Sequence, residues 1–317
     1  MATAHDWIEG ARLRTLPAAM APVLVGTAAA ANLGSWSAAR GLLALGVALL
    51  LQIGVNYSND YSDGIRGADD DRQGPPRLTG GGLAAPRTVL AAALGCFAAA
   101  GVLGLALVAV AGQWVLVVFG ALAVAAAWFY TGGSRPYGYV GIGLSELMVF
   151  VFFGLFALVG TTWTQAGQAP WWVWALACGM GLISIDLLMA NNLRDLPSDA
   201  RVGKVTVAVR LGDRGSRAAY VLVMALAVAA AVAGVAGGAS GVPNVSESDV
   251  VLVRAGGPAA WVSCLVVGVL CLLGALVPSL PVLRGATGRA LIPTLRDTGL
   301  YALAWALVVS VALVAVG

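Results

Sequence analysis

Nine long apolar runs constrain this 317-residue chain more than any other feature. Each has roughly 18 residues or more, the length at which an apolar segment is interpreted as a transmembrane helix. The runs cover residues 14–31, 41–58, 88–110, 113–131, 142–164, 171–192, 218–238, 258–278 and 298–316. Only 10% of the residues are charged, against about 25% in soluble domains. The sequence therefore predicts an all-α integral membrane protein with nine spans.

The basic residues lie almost entirely on one side of the predicted membrane. Sixteen of the eighteen Lys and Arg residues fall on the side of the N-terminus, and only Arg40 and Arg254 fall on the other. Lys and Arg are enriched in cytoplasmic loops. We therefore expect the cell membrane as location, with a cytoplasmic N-terminus and an outward C-terminus. The net charge of +3 is then a topology signal and does not indicate nucleic-acid binding.

Acidic residues concentrate at the cytoplasmic end of the second span. The stretch NDYSDGIRGADDDRQGPPR, residues 59–77, contains five of the fifteen acids of the chain. A related stretch, NNLRDLPSDARVGKVTVAVRLG, follows the sixth span at residues 191–212. Two such motifs at the ends of even-numbered spans predict one site built from both.

The two stretches match when the first is shifted by 132 positions. The shift aligns three pairs: Asn59 with Asn191, Asp63 with Asp195, and Gly67 with Asp199. We interpret this as a single membrane-embedded domain, residues 1–317, with two related halves. Their motifs, at 56–77 and 186–212, are expected to face each other, because repeat interfaces commonly form the sites of such proteins.

Helical spacing places the polar residues of each motif on one face. Asn59 and Asp63 are four positions apart. The second motif continues this spacing through three residues: Asn191, Asp195 and Asp199. That stripe is continuous only if the helix passes through Pro197; otherwise Asp199 lies in the first loop turn.

Oxygen ligands without His or Cys suit Mg²⁺, which typically joins one or two carboxylates to substrate phosphates. Without a cation the same carboxylates would repel each other. The sequence therefore predicts a Mg²⁺ site. The alternative is a solvated acidic loop, and it stays open above all for Asp70 and Asp71.

Basic residues are interleaved with these acids: Arg66, Arg77, Arg194, Arg201 and Lys204. Carboxylates, Mg²⁺ and guanidinium groups together can hold a diphosphate. The positive-inside bias would also place cations here, so each one is a candidate contact only. A GxxxxGK[ST] loop is absent from the sequence, which disfavours nucleotide hydrolysis.

The segment AWFYTGGSRPYGYVGIGLSE, residues 127–146, surrounds a Gly-rich cytoplasmic turn with aromatic residues. Such residues are typical of an interfacial belt, and they can also line a pocket that shields a carbocation. Glu146 and Asp186 lie at membrane depth, where ionisable groups are costly and usually functional. The one histidine, His5, is near the N-terminus, so a buried imidazole does not take part in catalysis.

These features fit a lipid diphosphate whose tail lies in the bilayer and whose head group lies at the carboxylates. Basic residues and Mg²⁺ would stabilise the leaving diphosphate, and a dry aromatic cavity would keep the allylic cation from water. An electron-rich aromatic acceptor needs no strong base.

The two motifs, with LRTLPAAMAPVLVGT (13–27) and YTGGSRPYGY (130–139), resemble the UbiA superfamily of intramembrane prenyltransferases. NDYSDGIRGAD, YTGG and NNLRD are most similar to the branch that prenylates 1,4-dihydroxy-2-naphthoate in menaquinone synthesis. The resemblance implies nine helices in a horseshoe around a central cavity that opens sideways to lipid, under cytoplasmic cap loops. It implies Mg²⁺-dependent transfer from polyprenyl diphosphate to the carbon that carries the carboxylate, with loss of CO₂, giving demethylmenaquinone.

The resemblance also implies roles for individual residues. The expected metal ligands are Asn59, Asp63, Asp195 and Asp199. Asp60 and Lys204 are expected to join the acids in catalysis. The expected substrate contacts are Arg66, Arg77, Asn192, Arg201, Tyr130 and Tyr139. The chain departs from the superfamily at Gly67, where many members have Asp; Asp69 is a candidate replacement.

Several alternatives remain open at this point. The acceptor is alternatively 4-hydroxybenzoate, a chlorin or a glycerol ether lipid. A cation-coupled transporter also has intramembrane acids, although it usually places its ions near the bilayer midplane. The sequence leaves the isoprenoid chain length and oligomerisation open. Arg14 and Arg135 are candidates for holding the carboxylate of the acceptor.

Overall fold

The computed structural model describes residues 2–67, 77–133, 136–201, 203–240 and 258–317 of the chain. Within these ranges every regular element is helical. Eight helices are long and apolar enough to cross a membrane, and a shorter apolar helix, Leu116–Thr131, makes a ninth. Each of the nine predicted runs falls on one of these helices. The prediction of an all-α membrane protein is therefore confirmed.

The described part of the chain contains eleven α-helices, numbered here in chain order. They are α1 (Ala4–Ala11), α2 (Leu16–Asn32), α3 (Ala38–Ile65), α4 (Pro86–Ala111), α5 (Leu116–Thr131), α6 (Leu144–Val149), α7 (Ala157–Ala166), α8 (Trp171–Arg201), α9 (Val207–Ala239), α10 (Pro258–Leu283) and α11 (Ile292–Val316). A π-helix, Phe150–Phe156, joins α6 to α7 into one span. Short 3₁₀ turns lie at Leu13–Thr15, Tyr137–Tyr139 and Gly288–Leu291.

Side-chain caps and glycines set several helix ends. The Ser37 hydroxyl accepts a hydrogen bond from the Arg40 backbone N–H at the start of α3. The Thr206 hydroxyl does the same for α9. These caps satisfy N–H groups that have no partner inside the helix. Gly112 and Gly167 end α4 and α7 in the left-handed conformation, which glycine adopts at little cost.

Pro197 does not end α8, which continues to Arg201. The backbone carbonyl of Pro197 accepts a hydrogen bond from Arg201 Nε at 3.2 Å. Asp195 and Asp199 therefore lie on the same continuous helix, one turn apart. Of the two arrangements left open for the second motif, the continuous stripe is the one found.

The main hydrophobic core joins α2 and α7 to α8, α9, α10 and α11. Glycines let these helices approach closely, as is common in membranes. A Cβ on Gly154 would lie 2.5 Å from the Cα of Gly181, and one on Gly234 would lie 2.3 Å from the Leu176 side chain. On the other side, α3 packs mainly on α4, and α5 contacts both. The central cavity lies between these two groups of helices.

Candidate active site

A cavity of about 1670 Å³ runs between α3–α5 and α2, the π-helix, α7, α8 and α11. One face of α3 lines it over about five helical turns, and the C-cap residue Arg66 continues this face. The lining residues of α3 are Ala44, Val47, Ala48, Leu51, Gln52, Val55, Asn56, Asn59 and Asp63. This stripe changes from apolar to polar towards the end of the helix. The cavity thus has a polar end and a long apolar remainder.

The first motif contributes Asn59 and Asp63 to the polar end of the cavity. The Thr131 hydroxyl donates a hydrogen bond to Asn59 Oδ1 at 2.8 Å and so fixes the amide. The Arg66 guanidinium donates to the backbone carbonyls of Thr131 and Gly133 at the end of α5. The YTGG segment therefore holds the first motif in place. Thr131 is a site residue that the sequence did not predict, although the YTGG motif that contains it was recognised.

Asp60 does not line the cavity, contrary to the role expected for it. Its carboxylate is fully buried and accepts hydrogen bonds from the backbone N–H groups of Leu78 and Thr79, at 3.0 and 2.8 Å. Asp60 thus anchors the segment after the first motif to α3. Arg77, directly before this anchor, is buried and lines the cavity.

The second motif contributes Asn191, Asp195 and Asp199 to the opposite wall of the polar end. Arg194 donates to Asp195 Oδ1 at 2.7 Å and to Asn191 Oδ1 at 2.8 Å. Arg194 therefore already pairs with Asp195, one of the expected metal ligands, and links it to Asn191. Lys204 Nζ is 3.4 Å from Asp199 Oδ1.

Two other residues of the second motif occupy different positions. Arg201 lines the cavity and is exposed. Asn192 is buried and does not line the cavity, so a direct contact with a ligand there is not supported. Helix geometry explains the difference, because Asn192 follows Asn191 by about 100° around the helix axis and faces the core.

The donor atoms of the two motifs fit Mg²⁺ only in part. Asp199 Oδ2 is buried and makes no hydrogen bond, which leaves a carboxylate oxygen available for a cation. In the described ranges, however, no three His, Cys, Asp or Glu side chains are close enough to share one ion. The chain therefore does not form a closed metal cage by itself. Such an open donor set suits Mg²⁺, which commonly takes its remaining ligands from substrate phosphates and water.

Cations outnumber acids around the cavity. The basic lining residues are Arg12, Arg14, Arg66, Arg77, Arg194, Arg201, Lys204, Arg289 and Arg296. The acidic ones are Glu9, Asp63, Asp195 and Asp199. The polar end thus carries an excess of positive charge and suits an anionic head group. Arg289 and Arg296, from the start of α11 and the turn before it, entered the sequence analysis only as topology markers.

The aromatic residues of segment 127–146 fall into two groups: some line the cavity, and others fit the membrane interface. Tyr130 and Tyr137 line the cavity, with ring centroids 5.6 Å apart in an edge-to-face arrangement. Burial raises the pKa of Tyr137 to about 12, so its hydroxyl stays protonated and donates to the Ala126 carbonyl. Phe129 is 54% exposed and fits an interfacial belt. The Tyr139 side chain is outside the described part.

Neither acid predicted at membrane depth lines the cavity. Glu146 is partly buried near the start of α6, and Asp186 is fully buried in α8, with no hydrogen bond to either carboxylate oxygen. Several other candidates lie outside the described residues: Asp69, Asp70, Asp71 and Arg135.

The apolar part of the cavity is lined by small and aromatic residues. Gly101, Gly104 and Gly120 leave room on α4 and α5, while Phe152 and Phe156 face them from the π-helix. Phe119 of α5 stacks on Phe156 with centroids 5.9 Å apart. A π-helix shifts the following side chains around the axis and is often found at functional sites. This surface suits a flexible hydrocarbon chain.

The cavity has a cationic mouth with acidic residues, and an apolar channel continues from it inside the bundle of membrane-spanning helices. This combination defines a membrane protein that binds an amphiphile with an anionic head group. The chain belongs to the UbiA prenyltransferase family, whose family model matches residues 19–276. It is therefore an enzyme of the prenyltransferase class rather than a cation-coupled transporter.

Curated relatives cover almost the whole chain. The 1,4-dihydroxy-2-naphthoate octaprenyltransferase of Mycobacterium tuberculosis is 50% identical over 313 residues, which cover 99% of this chain and 98% of the relative. The enzyme of the same name from Escherichia coli is 40% identical over 217 residues, covering 67% of this chain and 70% of the relative. The branch suggested by the motifs is thus confirmed as the one that this chain most resembles.

Solved structures confirm the fold. The apo structure of a UbiA homolog from Aeropyrum pernix has a TM-score of 0.65 at 16% identity, covering 94% of this chain and 97% of that one. A UbiA homolog from Archaeoglobus fulgidus, bound to GPP and Mg²⁺, has a TM-score of 0.63 at 13% identity and covers 96% and 99%. At these identities the likeness concerns the architecture alone.

Proposed function

We propose that this enzyme transfers a polyprenyl group from polyprenyl diphosphate to 1,4-dihydroxy-2-naphthoate, with Mg²⁺ as cofactor. The observation that carries the proposal is the cavity, in which two acid-bearing motifs and their cations face each other above an apolar channel. The names of the curated relatives support the choice of the acceptor.

The residues of the chain hold the substrate at the polar end. The Asn59 amide, fixed by Thr131, and the Asp63 carboxylate face the diphosphate from α3. Asp195 and Asp199 face it from α8. When bound, Mg²⁺ supplies Lewis-acid stabilisation of the charge that develops on the diphosphate. Arg77, Arg194, Arg201 and Lys204 add charge-assisted hydrogen bonds to the same oxygens, and Arg66 ties the site to α5.

The reaction needs no external oxidant or reductant, because every step moves electron pairs within the two substrates. The C–O bond of the prenyl diphosphate breaks, and both electrons leave with the diphosphate. The ring carbon that carries the carboxylate then forms the new C–C bond to the allylic carbon. Loss of CO₂ returns its electron pair to the ring. The immediate product is therefore the hydroquinone, demethylmenaquinol, which yields demethylmenaquinone on later oxidation.

The apolar channel has two roles in this proposal. It holds the isoprenoid tail and excludes water from the allylic cation, which water would otherwise capture. Tyr130 presents its ring to the polar end of the channel, where an aromatic face stabilises positive charge. The channel reaches from Asp63 to Thr164, near the other end of the bundle, so it accommodates a long chain.

Acceptor competition tests the proposed function. Membranes containing the enzyme are incubated with Mg²⁺, a polyprenyl diphosphate and either 1,4-dihydroxy-2-naphthoate or 4-hydroxybenzoate. Mass spectrometry should detect the prenylated, decarboxylated naphthoate and no prenylated benzoate, without any ion gradient. If only 4-hydroxybenzoate is prenylated, the assignment as a prenyltransferase stands, but 1,4-dihydroxy-2-naphthoate is not the acceptor.

A further inference from the structure

Arg12 has an unusual backbone conformation at the wall of the cavity. Its φ of 54° and ψ of 60° lie in the left-handed region, and it is the only non-glycine residue with positive φ in the described ranges. For a residue with a Cβ, this conformation costs roughly 1–2 kcal/mol. Glycine would end α1 there at lower cost, so helix termination alone does not explain an arginine.

Surrounding hydrogen bonds hold Arg12 in this conformation. Its N–H donates to the Glu9 carbonyl at 3.0 Å, and its carbonyl accepts from the backbone N–H and the hydroxyl of Thr15, at 2.8 and 2.9 Å. Asn56 of α3 donates to the Ala11 carbonyl at 2.9 Å and to the Thr15 hydroxyl at 3.1 Å. Strained residues persist where the structure fixes them in this way, and they concentrate at functional sites.

The Arg12 side chain lines the cavity, and its Nη2 atom is shielded from solvent. Tyr130 lines the same cavity from α5. Asn56, which binds the turn next to Arg12, precedes Asp63 by seven residues on α3. At 1.5 Å per residue, the Asn56 backbone lies about 10 Å from that of Asp63 along α3, towards the apolar part of the cavity.

This depth is where an acceptor must lie. A diphosphate at Asp63 and Asp195 places its first isoprenoid carbon on the membrane side of these residues, and the acceptor ring must approach that carbon. An arginine presents paired donors that match a carboxylate. The nearby amides of Gln52 and Asn56 also line the cavity and suit the hydroxyl groups of the acceptor.

We propose that Arg12 binds the carboxylate of the aromatic acceptor and thereby sets which ring carbon faces the isoprenoid. The inference rests on the proposed function and names a residue of that same site. The cations that suit the diphosphate belong to the two motifs. The left-handed turn is thus maintained because it directs a guanidinium into the channel.

Arg12→Gly separates the structural role from the binding role. Glycine adopts the same backbone conformation without strain, so the unfolding temperature of the purified enzyme should not fall. The KM for 1,4-dihydroxy-2-naphthoate should rise about 10- to 100-fold, the worth of a charge-assisted hydrogen bond, while the KM for the prenyl diphosphate stays unchanged. Arg12→Lys should lie between wild type and Arg12→Gly.

An acceptor analogue gives a second readout. Wild type should bind the naphthoate more tightly than 1,4-dihydroxynaphthalene, which lacks the carboxylate, and Arg12→Gly should abolish this difference. Arg87→Gln, an exposed arginine outside the cavity, is the control and should preserve it.

An unchanged naphthoate KM in Arg12→Gly, or a rise in the KM for the prenyl diphosphate alone, would overturn the inference while the proposed function stands. A wild-type enzyme that prenylates no naphthoate would overturn the proposed function, and the inference with it.

Discussion

At the scale of single residues, the acids of the two motifs are expected to act as Mg²⁺ ligands together with the diphosphate. Asp63→Asn or Asp195→Asn removes one carboxylate charge from the polar end of the cavity. Activity at a fixed Mg²⁺ concentration should fall about 100-fold or more, and half-saturation should move to higher Mg²⁺. A Mg²⁺ titration of prenyl transfer measures both effects.

Asp213→Asn is the matched control for these variants. Asp213 pairs with Arg217 at 2.7 Å, is 53% exposed and lies outside the cavity. Arg217 keeps its hydrogen bonds to the Val282 and Ala286 carbonyls in this variant, so the protein should stay folded. An equal loss of activity in the control, or a normal Mg²⁺ titration in Asp63→Asn, would argue against metal binding by the motif.

Asp60 is expected to behave differently from its neighbour Asp63. Asp60→Asn weakens at least one of the two hydrogen bonds to the loop, because its amide group is less able than a carboxylate to accept both N–H groups. The free energy of unfolding should fall by about 1–3 kcal/mol, and the Mg²⁺ titration midpoint should not move. Thermal unfolding and the Mg²⁺ titration of the same preparation distinguish the two roles. A shifted midpoint in a stable Asp60→Asn would restore Asp60 to the metal site.

The difference between Asp60 and Asp63 marks the limit of the sequence at this scale. Motif spacing placed both on α3, and it correctly put Asp63 on a face with Asn59. The partner of Asp60 is a pair of backbone N–H groups eighteen and nineteen positions further along the chain. A contact made by the return of a loop leaves no periodic signal in the sequence, so the motif predicts a catalytic role for Asp60 that the structure does not support.

At the scale of elements, the crossing of the π-helix with α8 depends on paired glycines. A Cβ on Gly154 would lie 2.5 Å from Gly181 Cα and 2.7 Å from the Ala177 carbonyl oxygen, and backbone atoms cannot move aside as side chains do. Gly154→Ala should therefore lower the free energy of unfolding by about 1–3 kcal/mol.

The effect of Gly154→Ala on this crossing is measured as the unfolding temperature of the detergent-solubilised protein. Gly95→Ala in α4 is the control, because no atom lies within 4 Å of an added Cβ there. Equal unfolding temperatures for Gly154→Ala and Gly95→Ala would contradict the close crossing.

The sequence predicted the helices better than their ends. Apolar length identified each span, since a bilayer requires about 20 apolar residues in a row. The seventh run was predicted at 218–238, whereas α9 begins at Val207 and is interrupted by a kink at Gly212, where φ is 68° and ψ is 178°. Its added turns carry charged residues, which an apolar run cannot include. The π-helix could not be predicted either, because the extra residue in its wider turn does not alter the amino-acid composition of the span.

At the scale of the whole molecule, the orientation in the membrane remains a prediction from the distribution of basic residues. Ser35 lies in the turn between α2 and α3, and Arg284 lies between α10 and α11. Both are exposed. In intact cells a membrane-impermeant maleimide should label Ser35→Cys and not Arg284→Cys, with wild type giving the background from its own four cysteines. The reverse labelling pattern would place the candidate active site outside the cell.

The measurement that tests the account most directly is the stoichiometry of one turnover. Purified enzyme receives Mg²⁺, polyprenyl diphosphate and 1,4-dihydroxy-2-naphthoate labelled in the carboxylate, and CO₂ and diphosphate are counted together. The proposed reaction yields one CO₂ and one diphosphate per prenylated product, and an Asp63→Asn, Asp195→Asn variant that still unfolds cooperatively should form none of the three. Diphosphate released without CO₂, or CO₂ release that survives in the variant, would contradict it.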